Sequence, residues 1–185
     1  MSDHPSPRGG ALPPDCQTEN LGVAFFDLSR IPEWSSADED ERVAGFFQAF
    51  YALAARHVEP AGGRIVKLMG DAGLAVFPAE SAEPAILALC AFAQEARACA
   101  REFGLNTYLN VNVHVGPVLA GSFGPPGAER FDVIGKTVNI AARLGRRGVT
   151  LSPQAFRCLS PEARTRFEKL IPPVTYRFRS QGAAG

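Results

Sequence analysis

The chain has 185 residues, room for one domain at about 100–200 residues each, and chains of this order bury about 70% of their unfolded surface. Lys+Arg 19 balances Asp+Glu 19, so the formal net charge is zero and the basic excess of a nucleic-acid binder is missing. No apolar stretch approaches 18 residues and the opening MSDHPSPRGG has no apolar core, which argues against a transmembrane helix and a signal peptide. Cys16, Cys90, Cys99 and Cys158 show no CxxC spacing, so zinc and thioredoxin-type readings fail and a reduced, cytoplasmic chain is expected.

Residues 1–20 carry Pro5, Pro7, Pro13, Pro14 and a Gly-Gly pair, and read as a disordered leader ahead of a domain over 21–179. Residues 180–185 (SQGAAG) read as a frayed tail. Leu21–Leu28 (LGVAFFDL) is a nearly continuous apolar run, which predicts a buried strand. Val43, Phe46, Phe47, Phe50, Leu53 and Ala54 recur at helical spacing over 38–57, with acids Asp38–Glu41 in the first turn. After Gly62-Gly63, the runs IVKLM and AGLAVF joined at Gly70-Asp71 predict a hairpin. Residues 82–102 read as a second amphipathic helix stopped by Gly104. Tyr108–Val115 (YLNVNVHV) alternates apolar and polar, a half-buried strand; Gly116-Pro117 then reads as a turn and Val118–Ala120 as a short return strand. The loop FGPPGAE leads into FDVIG, a helix from Thr137 to about Arg146, a strand at Val149–Leu151 and a last strand at Pro173–Phe178. The pattern predicts an α+β fold, an antiparallel or mixed sheet with helices on one face.

Two acids stand where strands meet solvent: Asp27 closes the first strand and Asp71 holds the hairpin tip. If those strands are neighbours, the carboxylates converge, and two hard carboxylates with room for water suit Mg²⁺ alongside substrate phosphates. Each acid alone also fits a simple role as a turn or cap residue. His114 reads as an outward strand residue, and Trp34 as a packing or interface residue.

FFDLSRIPEWS, RIVKLMGDAGLAVF and FDVIGKTVNIAARL together resemble the class III nucleotide cyclases, the adenylate and guanylate cyclase catalytic domains, over about residues 21–178. The resemblance implies a ferredoxin-like class III cyclase fold with a central antiparallel or mixed sheet and flanking helices. It places Asp27, the Leu28 carbonyl and Asp71 on two Mg²⁺ or Mn²⁺ ions per active site. Lys67 and Asp132 match the purine-reading pair, Asn139 the ribose-positioning residue and Arg143 the residue that stabilises the transition state. Lys169 matches a triphosphate-binding lysine more loosely, since the usual Lys-Gly pair is missing from the C-terminal segment. The family usually has Gly-Phe-Thr after the first aspartate; here Arg30-Ile31-Pro32 stands there, and Pro32 offers no N–H.

The implied activity is an adenylate cyclase converting ATP to 3′,5′-cyclic AMP and pyrophosphate. Lys67 can only donate and ionised Asp132 only accept, which suits adenine's N1 and amino group and opposes guanine's pattern. In the family, one subunit brings the two metal aspartates and its partner brings the other residues, so a homodimer with two composite sites is expected. A cyclase-like nucleotide-binding or regulatory module with weak catalysis is the reading from another class; a cyclase for GTP or a pyrimidine nucleotide is a further one. The sequence shows no sensor segment, so control is expected from a regulatory partner, an ion or expression.

Overall fold

The computed structural model describes residues 12–29, 37–145 and 148–179. Arg30, Ile31, Pro32, Trp34 and the tail from 180 onward lie outside the described residues. In chain order, β1 (Gln17–Ser29), α1 (Ala37–Val58), β2 (Arg64–Met69), β3 (Ala72–Pro78), α2 (Ala82–Glu102) and β4 (Tyr108–Phe123) make a ferredoxin-like unit. There follow β5 (Arg130–Ile134), α3 (Lys136–Ala142), β6 (Val149–Leu151), α4 (Pro153–Arg157), α5 (Pro161–Arg164), β7 (Phe167–Leu170) and β8 (Thr175–Phe178). The sheet runs β2-β3-β1-β4-β6-β8-β7, with β5 paired to β4 off that path. All pairings are antiparallel except β4–β6, so the predicted α+β sheet is observed.

The apolar run of β1 follows from burial on both faces. Ala24, Phe26 and Leu28 meet α1 and α2, while Leu21 and Val23 pack with Leu74, Val76, Val118 and Ala141 on the other face. Phe26 meets Phe50 of α1 and Phe92 of α2 edge-on, with centroids 6.1 and 5.5 Å away. Its ring lies across its cross-strand neighbour Gly73, where a Cβ would sit 2.2 Å from Cζ, so glycine is required there by space alone. α1 buries Val43, Phe46, Phe50 and Leu53, the stripe its periodicity predicts.

Five expectations are corrected. Residues 17–20 belong to β1, not to the leader, because Gly121 lets the chain approach: a Cβ there would be 2.8 Å from Cys16 Cα, and the Asp15 carboxylate accepts from Ser122 N at 2.9 Å. Hydrogen bonding from the Ser122 side chain first, with its N–H adding to it, holds the Asp15 carboxyl below the usual carboxylate range. Gly116-Pro117 makes no turn; β4 runs straight through it against β1. Proline is tolerated because β4 changes its second neighbour there, from β6 at Val111–Val113 to β5 at Leu119–Phe123, leaving an unpaired edge. The return strand is therefore β5 rather than Val118–Ala120. The helices do not all share one face: α3 covers the opposite side of β1 and β4, with Ala141 buried in the second cluster. α3 also ends at Ala142, short of Arg146, since Arg143 leaves helical geometry at φ −114°. Among the described residues no helix is long and apolar enough to cross a membrane.

Candidate active site

The second face, under α3, carries the predicted residues as three pairs. The register of β1 on β3 sets Asp27 opposite Ala72, and Leu28 N–H donates to the Asp71 carbonyl at 2.9 Å. Asp27 and Asp71, 44 positions apart in sequence (71 minus 27), thus sit side by side at one end of the sheet, both half-buried. Asp71 is held by its turn: Gly70 adopts φ +63°, and the Tyr51 hydroxyl of α1 donates to the Gly70 carbonyl at 2.8 Å.

Lys67 Nζ donates to Asp132 Oδ2 at 2.5 Å, closing β2 onto β5. The other oxygen, Oδ1, accepts from Val133 N–H at 2.8 Å, so the carboxylate is fixed at both ends. A register shift in β2 between Ile65 and Lys67 re-aims the lysine. Beside it the Arg64 guanidinium lies 3.8 Å from the Phe131 ring centroid, and Phe131 packs on the second core cluster rather than standing free.

Asn139 and Arg143 both line an open groove of about 440 Å³ between α3 and the turn before β8, with Lys136, Ile140 and Val174. Spacing of 136, 139, 140 and 143 puts these residues on one side of α3 and its end. The groove contains cations and no acid among its lining residues. Its size lies in the range of about 300–1,000 Å³ that small-molecule sites occupy.

Lys169 is not among the groove residues. In the β7–β8 register it faces Tyr176, and Phe167 faces Phe178; these aromatics pack on the α1/α2 side of the sheet, so Lys169 shares that side and not α3's. The lysine that does line the groove is Lys136, which the sequence reading did not single out.

Sequence reasoning also missed Asn110. Alternation in YLNVNVHV marks Asn110, Asn112 and His114 as one polar face and predicts it solvated. They are 0%, 4% and 5% exposed, because α3 and the segment after it cover them. Asn110 is the cross-strand partner of Asp27, and its Nδ2 donates to Asp27 Oδ2 at 3.2 Å. His114 Nδ1 meets Ser152 Oγ at 2.8 Å, and burial pushes its pKa below the ordinary imidazole value.

The donor set suits a hard divalent cation. Asp27 and Asp71 offer two carboxylates at one sheet end, and among the described residues no group of three His, Cys, Asp or Glu side chains gathers to form an all-protein cage. Mg²⁺ commonly takes one or two carboxylates and completes its shell from water and substrate phosphate.

The sheet, with the Asp27–Asp71, Lys67–Asp132 and Asn139–Arg143 pairs, makes a mixed α+β domain with one candidate site. The chain belongs to the adenylate and guanylate cyclase catalytic domain family, whose sequence model matches residues 14–171. A germination-specific adenylate cyclase of Dictyostelium discoideum is 28% identical over 144 residues, covering 72% of this chain and 16% of that protein. The chain therefore spans only a small part of such relatives. The crystal structure of an adenylyl cyclase from P. aeruginosa has a TM-score of 0.70 at 18% identity, over 92% of this chain and 100% of that one. A guanylyl cyclase crystal structure gives 0.74 at 17%, over 91% and 96%. At these identities the likeness establishes the shared fold.

Proposed function

We propose that this domain is an adenylate cyclase, acting on ATP at composite sites of a homodimer. The observation that carries the choice of base is the Lys67–Asp132 pair, 2.5 Å apart and prealigned to present one donor beside one acceptor. Adenine's N1 accepts from the lysine while its amino group donates to the carboxylate; guanine's N1–H and O6 meet the wrong partner at both. The Dictyostelium relative carries the name of an adenylate cyclase, in line with this reading.

The reaction joins the ribose 3′-oxygen to the α-phosphorus and breaks the bond from that phosphorus to the β-phosphate bridge, releasing pyrophosphate. It is intramolecular, so the domain's main task is to hold one reactive conformer. Asn139 holds the ribose and Arg143 meets the charge that grows on the α-phosphate. Asp27, Asp71 and the Leu28 carbonyl would hold divalent ions, which would supply polarisation of the attacking hydroxyl and charge for the departing diphosphate. The domain works in the cytoplasm, where ATP is available.

The test is incubation with each nucleoside triphosphate and Mg²⁺ or Mn²⁺, with products resolved by mass spectrometry. Cyclic AMP from ATP is the expected product, lost in Asp27→Asn and in Asp71→Asn while the circular dichroism spectrum stays native. No cyclic nucleotide from any triphosphate, or activity surviving either substitution, overturns the proposal.

A further inference from the structure

We propose that Asn110 is a positioning residue for the metal-binding acid Asp27, acting through the rotation of its carboxylate; this rests on the reading of Asp27 as a metal ligand. Asn110 is fully buried near the start of the central strand β4, where an amide is costly unless its polar groups are used. All of its groups are engaged. Nδ2 spends one hydrogen on Asp27 Oδ2 at 3.2 Å and the other on Ser29 Oγ, while Oδ1 accepts from Gly148 N–H at 3.1 Å. The Gly148 N–H dictates which way the amide faces: its oxygen must point there, so its NH₂ must point at the acid. The backbone that carries the amide is held by strand pairing, since Asn110 sits opposite Asp27 and the next residue, Val111, donates its N–H to the Gly148 carbonyl at 3.0 Å.

The consequence for Asp27 is asymmetric. The amide takes one lone pair of Oδ2 and, among the described residues, Oδ1 accepts no hydrogen bond, so the carboxylate's rotation is set from one side with Oδ1 open to a cation. Partners of this kind, which orient a ligating carboxylate, typically change metal affinity by about 10–100-fold when removed. Asn112 provides the comparison. It lies two residues on, on the same buried face, and donates to the Gly145 carbonyl at 2.8 Å, so it anchors the same segment after α3 without touching Asp27.

The experiment titrates the metal-free protein with Mn²⁺ alone and follows free Mn²⁺ by electron paramagnetic resonance. Five proteins are compared: wild type, Asn110→Ala, Asn112→Ala, Asp27→Asn and the Asp27→Asn/Asn110→Ala double variant. Asn110→Ala is expected to weaken Mn²⁺ binding about 10-fold or more, Asn112→Ala to leave it unchanged although both lower the thermal midpoint, and Asn110→Ala to add nothing once Asp27 is already Asn. If Asn110→Ala fails to fold, Asn110→Ser, which keeps a buried hydroxyl but cannot span from Asp27 to Gly148, takes its place with the same expectation. Wild-type affinity in Asn110→Ala or its serine substitute, or an equal loss in Asn112→Ala, overturns the positioning role while leaving the metal site intact. Unaltered binding in Asp27→Asn instead overturns the metal assignment, and the positioning role with it.

Discussion

On the proposed reading of Lys67 and Asp132 as the pair that meets the base, exchanging them, Lys67→Glu with Asp132→Cys, reverses the direction of both hydrogen bonds to the purine. Fully buried mispairing discriminates by up to about 10⁴–10⁵. Here the two side chains are 40% and 29% exposed, so water partly compensates a mismatch. Each unmet hydrogen bond then costs about 1–1.5 kcal/mol, the low end for an unsatisfied group. Two of them give about 2–3 kcal/mol, or about 30- to 150-fold in kcat/KM at 1.36 kcal/mol per tenfold. Wild type is therefore expected to prefer ATP over GTP by at least about 30-fold, and the double variant to lose most of that preference. The pair is a partly exposed ion pair worth about 1 kcal/mol or less, so the variant stays folded. The assay is kcat/KM for each purine from chromatographic product formation, beside a thermal melt. Equal kcat/KM values in the wild type, or a double variant that still favours ATP by the wild-type ratio, refute the assignment of these residues to the base.

Mixing Asp27→Ala with Asn139→Ala, each nearly inactive, is expected to restore about a quarter of wild-type activity: half of randomly paired dimers are mixed, and each has one intact site of two. No recovery despite demonstrated subunit exchange places the whole site in one chain. Gly73→Ala drives a methyl to 2.2 Å from the Phe26 ring and is expected to cost about 1–3 kcal/mol, read as a thermal midpoint lower by about 2–12 °C; an unchanged midpoint contradicts the close approach. Tyr51→Phe removes the donor to the Gly70 carbonyl, and is expected to cost about 0.5–1.5 kcal/mol and raise the Mg²⁺ concentration for half-maximal rate. A variant matching wild type in both the melt and the Mg²⁺ dependence shows that the turn needs no such anchor. His114 is neutral and buried, so the unfolded chain takes its proton first: stability is expected to fall as pH drops below about 6.5 until the depressed folded value is reached. His114→Gln is expected to flatten the thermal midpoint between pH 7 and pH 5, and an unaltered slope assigns the loss to other groups.

Local sequence determined the elements whose cause is local. The stripe of Val43, Phe46, Phe50 and Leu53 needs only a helix period to be seen, and the helix is there. The run around Phe26 is apolar because both faces are covered, and Gly70-Asp71 marks a hairpin through backbone freedom at one residue. The motifs carrying Asp27, Asp71, Lys67, Asp132, Asn139 and Arg143 were legible too, as was the family they point to. Tertiary structure alone decided what lies opposite what. Alternation in YLNVNVHV separates two faces but cannot say that α3 covers the polar one, so Asn110 reads as solvated although it is buried against Asp27. Gly116-Pro117 reads as a turn because the local signal does not include the change of neighbour that frees one strand edge for proline. Lys169 reads as a phosphate ligand by position in the chain, whereas strand register turns it to the other side of the sheet and leaves Lys136 in the groove. Register and coverage are set by which distant strands pair and which helix closes over them, and no window of local sequence contains that information.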